Sequence, residues 1–117
     1  MSSSSSAVSI LLADDHQIVR SALRTVLAQP ATQARLANQV VAEAQDGVEA
    51  IDAVKRHKPD LVLLDVSMPK ARGTEVVVEV QRWSPATKIV IFTGVTSAAS
   101  KIETAEEDEL KVVCSYR

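Results

Sequence analysis

Cysteine is nearly absent from this chain: Cys114 stands alone in 117 residues. A single thiol excludes an intramolecular disulfide and a thiolate metal cage, and it suits a reducing cytoplasm. Cys114 itself reads as a small side chain in a strand. Long apolar runs are also missing. The opening MSSSSS has no basic residue and leads into only a short apolar stretch, so it is neither a secretory signal nor a membrane span. Residues 1 to 6 are expected to be a disordered tail. An excess of either charge is lacking too, since 13 Lys and Arg face 15 Asp and Glu for a net charge of -2. That balance gives no footing for nucleic acid or a membrane surface. Internal repeats are absent. What remains, 46% hydrophobic and 24% charged, is one compact domain over residues 7 to 117 whose partner is a protein or a small molecule.

Apolar runs alternate with helical patterns along that domain. AVSILLA (7 to 13) reads as a strand, and Ile18, Val19, Ala22, Leu23, Val26 and Leu27 follow at helical spacing. Residues 31 to 38 follow Pro30 as an extension or second piece of that helix, before the strand QVVAEA (39 to 44). Asp46-Gly47 marks a turn, Val48, Ile51 and Val54 share a helical face, and Pro59-Asp60 restarts the chain into the strand LVLLD (61 to 65). A helix from Gly73 to Arg82 is rich in β-branched Val76, Val77, Val78 and Val80, and KIVIFT (88 to 93) is the fourth strand. Repeated β-then-α order with aliphatic strands predicts an α/β fold, its parallel sheet covered on both faces and joined by right-handed crossovers.

Three of these strands end in polar groups: Asp14 and Asp15 after the first, Asp65 after the third, Thr93 after the fourth. In a parallel sheet all carboxyl ends lie on one rim, so these residues are expected to meet in one crevice. Three carboxylates there repel one another unless a cation joins them, and hard oxygen donors with room for water suit Mg²⁺. Asp65 is then placed to attack phosphorus and form an acyl phosphate, with Thr93 donating a hydroxyl hydrogen bond to the phosphoryl oxygens. Taken singly, Asp14 or Asp15 reads as a helix cap, Asp65 as a turn residue and Thr93 as an ordinary strand residue. His16 reads as a solvated helix residue, Lys70 and Arg72 as loop charges, Trp83 and Met68 as packing, and the acidic run 106 to 109 as a solvated face.

The pattern LLADDH(x)3R at 11 to 20, the D(x)3P(x)3G stretch from Asp65 to Gly73, and Thr93-Gly94 after an aliphatic strand occur in order. In this combination the chain resembles a response-regulator receiver domain of the LuxR/NarL type, over about residues 8 to 96. The resemblance implies a doubly wound, flavodoxin-like sheet of four to five strands. By it Asp65 is the phosphoacceptor and Thr93 the switch hydroxyl. Asp15, Asp65 and the backbone carbonyl of Ser67 hold Mg²⁺, while Asp14 acts through water or in support. A sensor histidine kinase is the implied partner and the cytoplasm the implied location, while a homodimer is expected on other grounds, through the sheet face that a missing fifth helix leaves uncovered. Direct nucleic-acid binding is not expected, because the helix-turn-helix domain usual in such regulators has no counterpart here.

Beyond Thr93 the pattern departs. Counting from Thr93 puts Ser115 where receivers of this type carry a lysine, with Lys111 upstream and Arg117 after it. The fifth helix is expected to be missing. Three readings follow: a phospho-accepting receiver, possessing at most self-catalysed phosphotransfer and dephosphorylation rather than an enzyme's turnover; a degenerate receiver serving as an interaction or dimerisation module; and a hydrolase working through an aspartyl phosphate. The last requires a second Asp two residues past the nucleophile, where Ser67 stands.

Overall fold

The computed structural model describes residues 7 to 65, 68 and 73 to 92. In chain order the elements are β1 (Val8–Ala13), α1 (Gln17–Ala28), α2 (Pro30–Arg35), β2 (Asn38–Ala44), α3 (Gly47–His57), β3 (Leu61–Asp65), α4 (Gly73–Trp83) and β4 (Lys88–Phe92). The four strands pair in parallel in the order β2-β1-β3-β4. This is the expected doubly wound, flavodoxin-like α/β arrangement. The chain steps from β1 outward to β2, then returns past β1 to β3, so the winding direction reverses between β1 and β3. A fifth strand, a fifth helix and the tail over residues 1 to 6 lie outside the described residues.

One sheet face carries the core. Leu11, Ala13, Val62, Leu64, Ile89 and Ile91 project at the period of two that a strand imposes, and they pack against Ala50 and Val54 of α3 and Val76, Val77 and Val80 of α4. All are at most 7% exposed, and Met68, at 6%, joins them as the packing residue expected. On the other face Ile10 and Leu12 of the central strand are fully buried, while Leu61, Leu63 and Val90 are half-buried. The β-branched run in α4 is helical because burial of Val76, Val77 and Val80 outweighs the few tenths of a kcal/mol by which each valine disfavours a helix.

Two sequence expectations, on α3 and on Trp83, are corrected. In α3 the buried stripe is Gly47, Ala50 and Val54, whereas Ile51 is half-buried and Val48 points to solvent at 57% exposure. Small residues let α3 approach the sheet, so a reading that looks only for large aliphatics picks the wrong stripe. In α1 the expected helical spacing holds, with no residue fully buried: Val19, Leu23 and Leu27 are half-buried, and Ile18, Ala22 and Val26 face outward. Trp83 lies at the surface instead of in the core. Its ring sits 4.4 Å beneath the Lys55 ammonium, and its indole N–H donates to Glu79 Oε1 at 2.9 Å.

The rim holding the strands' amino ends is tied by polar groups. Ser9 N–H and Asp60 Oδ2 meet at 2.9 Å, and Asp60 N–H donates back to Ser9 Oγ at 2.9 Å. Beside them the buried hydroxyls of Ser84 and Thr87 lie 2.6 Å apart, and Thr87 Oγ1 donates to the Pro59 carbonyl at 2.5 Å. Lys58 ends α3 in the left-handed region at φ 43° and donates its ammonium to the Trp83 carbonyl at 2.6 Å.

Candidate functional site

At the opposite rim the register of the sheet does the positioning. Ala13 pairs with Leu64, so Asp14 and Asp65, each one residue further on, stand level on adjacent strands. They stand where the winding reverses, the place at which open α/β sheets leave a crevice beyond the carboxyl ends of their strands. Both side chains are fully buried, and Asp15, next in the chain, is exposed. Carboxylate oxygens of Asp14, Asp15 and Asp65 and a ring nitrogen of His16 lie within 4.8 Å of one another.

The turn after β1 is shaped by Asp14 itself. Its backbone N–H continues the ladder to the Ala44 carbonyl at 2.9 Å, and its Oδ1 accepts the His16 backbone N–H at 2.7 Å. That side-chain bond two residues on is an Asx turn. It leaves His16 extended at the amino cap of α1, without a capping bond of its own. The His16 ring therefore folds back over the acids, with Nδ1 3.1 Å from Asp14 Oδ1 and 3.0 Å from Asp15 Oδ1. The hydrogen bond to Asp14, followed by the charge of Asp15, holds the imidazolium above the usual histidine range. His16 thus stays half exposed at the head of α1, as its reading as a solvated helix residue expects, while its ring also contacts the acids of the site. No signal in the sequence places the ring, because its position follows from the Asx turn.

Arg20 braces this turn from α1. Its Nη1 donates to the Asp14 backbone carbonyl at 2.6 Å while its Nε donates to Glu43 Oε1 at 2.7 Å. Arg24 Nε pairs with the other oxygen of Glu43. The Arg24 bond, then that of Arg20, keeps the Glu43 carboxyl below the usual glutamate range, against a burial effect of opposite sign. Arg20 is the terminal letter of the LLADDH(x)3R pattern, which gave it no role. Glu43 carries no local signal, since its two partners come from a different element.

The donor set fits a hard divalent cation. Asp14 is fully buried, yet its Oδ2 accepts no hydrogen bond among the described residues. Leaving a buried carboxylate oxygen without a partner is costly, and a divalent cation held by these residues would offset that cost. Of the residues singled out in the sequence, Asp14, Asp15 and Asp65 come together here. Ser67 and Thr93 lie outside the described residues, as do Lys70, Arg72, Lys111, Ser115 and Arg117.

Comparisons with known proteins agree with this fold. The family model described as "Response regulator receiver domain" matches residues 10–113, further toward the carboxyl end than the resemblance drawn from motifs alone. The chain is 40% identical over 85 residues to the uncharacterized transcriptional regulatory protein YhcZ of Bacillus subtilis, covering 73% of this chain and 37% of that one. It is 39% identical over 85 residues to the oxygen regulatory protein NreC of Staphylococcus epidermidis, covering 72% and 37%. It thus spans little more than a third of the length of these curated relatives. Among solved structures, a LuxR-family two-component response regulator from Aurantimonas sp. SI85-9A1 superposes with a TM-score of 0.65 at 34% identity, over 86% of this chain and 70% of that one.

Proposed function

This chain belongs to the response regulator receiver domain family, the phospho-accepting signalling module of two-component systems, and we propose that Asp65 is its phosphoacceptor. The observation that carries the assignment is the convergence of buried Asp65 with Asp14 and Asp15 at the switch point of the sheet. An Asp65 oxygen attacks phosphorus in the phosphohistidine of a sensor histidine kinase. As the new P–O bond forms, the P–N bond breaks and its electron pair leaves with the imidazole, so the product is an acyl phosphate. Asp15, Asp65 and the Ser67 carbonyl would hold Mg²⁺, with Asp14 acting through water or in support. When bound, the ion supplies positive charge that offsets the acids and the incoming phosphoryl oxygens. Asp14 keeps the turn after β1 closed through its bonds to His16, and Arg20 fixes the carbonyl of that turn. Thr93 is the hydroxyl that meets the phosphoryl group and carries the change to the surface.

A part in transcription regulation through a further domain or partner fits the relatives' printed names, and a cytoplasmic place is usual for receiver domains. Among the described residues no helix is long and apolar enough to cross a membrane. The degenerate reading rests on residues past Thr93, and nothing in the fold or the acidic pocket favours it. Incubation with Mg²⁺ and acetyl phosphate followed by intact-mass measurement tests the proposal. The mass gains one phosphate, and Asp65→Asn abolishes the gain. An unchanged parent mass, under conditions that modify an ordinary receiver, removes the assignment and promotes the degenerate reading.

A further inference from the structure

The fourth donor at the acidic pocket is a nitrogen. His16 Nδ1 lies 3.1 Å from Asp14 Oδ1 and 3.0 Å from Asp15 Oδ1. These are hydrogen-bond and ion-pair contacts of the ring, and an octahedral ion bound at about 2.1 Å holds neighbouring ligands about 3.0 Å apart, so an ion that displaces the Nδ1 proton finds the nitrogen at ligand spacing from both carboxylates. The ring is held there by the backbone: the Asp14 bond to the His16 N–H fixes the turn, and the extended cap conformation aims the imidazole at the acids. The other oxygen of Asp14, fully buried Oδ2, has no hydrogen-bond donor among the described residues and points to a cation as its partner. The His16 side chain is 49% exposed, which leaves one side of the pocket open to water ligands or an incoming anion.

We propose that His16 Nδ1, on releasing its proton to water, is a direct ligand of the ion in this pocket, and that the pocket therefore favours a later first-row divalent ion, Co²⁺ to Zn²⁺, over Mg²⁺ at equal free concentration. The inference rests on the pocket being a cation site and adds which ion it selects. Three carboxylate oxygens alone suit Mg²⁺, which keeps to oxygen and gives up its water reluctantly. One imidazole shifts the balance, because nitrogen donors suit the later ions and affinity rises from Mn²⁺ towards Cu²⁺. Mg²⁺ still fills the site wherever it is in large excess, with the His16 ring displaced toward solvent. Selection is then a matter of supply.

Titration calorimetry with Co²⁺ and with Mg²⁺, on the parent, His16→Asn and His57→Gln, is one arm of the test. Proton NMR of the Co²⁺-loaded proteins is the other. The parent prefers Co²⁺, and His16→Asn reduces the Co²⁺-to-Mg²⁺ affinity ratio by about tenfold or more. A single hyperfine-shifted, exchangeable imidazole N–H resonance appears in the parent, persists in His57→Gln and vanishes in His16→Asn. If both ions bind the parent and weaken with Asp15→Asn, yet no shifted imidazole resonance appears, the His16 ligand is refuted while the cation site stands. If neither ion binds the parent, both fall together.

Discussion

Glu43 shows how a single side chain ties stability to pH. Arg24 and Arg20 hydrogen-bond it and hold its carboxyl below the usual glutamate range in the folded protein. A depressed folded value means that the contribution is fully present above the unfolded glutamate's range and is lost as pH falls through the lower, folded value. Urea denaturation at neutral pH should find Glu43→Gln less stable than the parent by about 1 kcal/mol, the scale of a partly exposed charge-assisted bond. The gap should close on acidification through the folded Glu43 value, and a gap that persists in acid points to packing instead. The Glu43 pair illustrates where sequence reasoning stops at this scale. Asp14 and Asp65 were legible because a strand delivers its last residue to a known rim. Arg20, Arg24 and Glu43 were not, because their partnership spans two elements and nothing in the spacing encodes it.

Among the elements, α3 is the most explicitly delimited. Asp46 Oδ1 accepts the Glu49 N–H at 2.8 Å, and Glu49 Oε1 reaches back to the Gln45 N–H at 3.0 Å. Lys55, Arg56 and His57 crowd the last turn, where positive charge complements the exposed carbonyls. Asp46→Ala should cost about 1 kcal/mol in thermal or chemical denaturation, and Asp46→Asn, which can still accept, a few tenths. Equal losses for the two would show that the charge, not the cap, matters. Ile89→Ala in β4 should cost about 2–5 kcal/mol, because the side chain is wholly enclosed. Ile18→Ala in α1, where the side chain is 83% exposed, should stay within about 0.5 kcal/mol. Order and type of every described element were readable from alternation and turn residues. The inward stripe of α3 was not, since Gly47 and Ala50 are buried for closeness to the sheet, a demand of tertiary packing that a hydrophobicity pattern does not register.

Across the whole molecule, work is divided between the two rims of the sheet. The amino rim is stitched by satisfied polar groups, including buried Ser84, Thr87 and the Pro59 carbonyl. The carboxyl rim gathers like charges and a buried oxygen without a hydrogen-bond donor among the described residues. Thr87→Val should therefore destabilise by about 1–3 kcal/mol, by stranding the Ser84 hydroxyl and the carbonyl, while cation affinity measured by calorimetry stays unchanged. A shifted affinity would mean that the rims communicate through the strands.

The level pairing of Asp14 with Asp65 has a consequence for how this chain tolerates added length. Their separation in space is set by the hydrogen-bond ladder between β1 and β3, although α1, α2, β2 and α3 all intervene in the chain. Extra residues at the α1–α2 joint near Pro30 lengthen the path without moving either acid. One residue inserted inside β1 slides Asp14 by about 3.3 Å and turns the inward side chains outward. The site is thus indifferent to chain length and intolerant of phase.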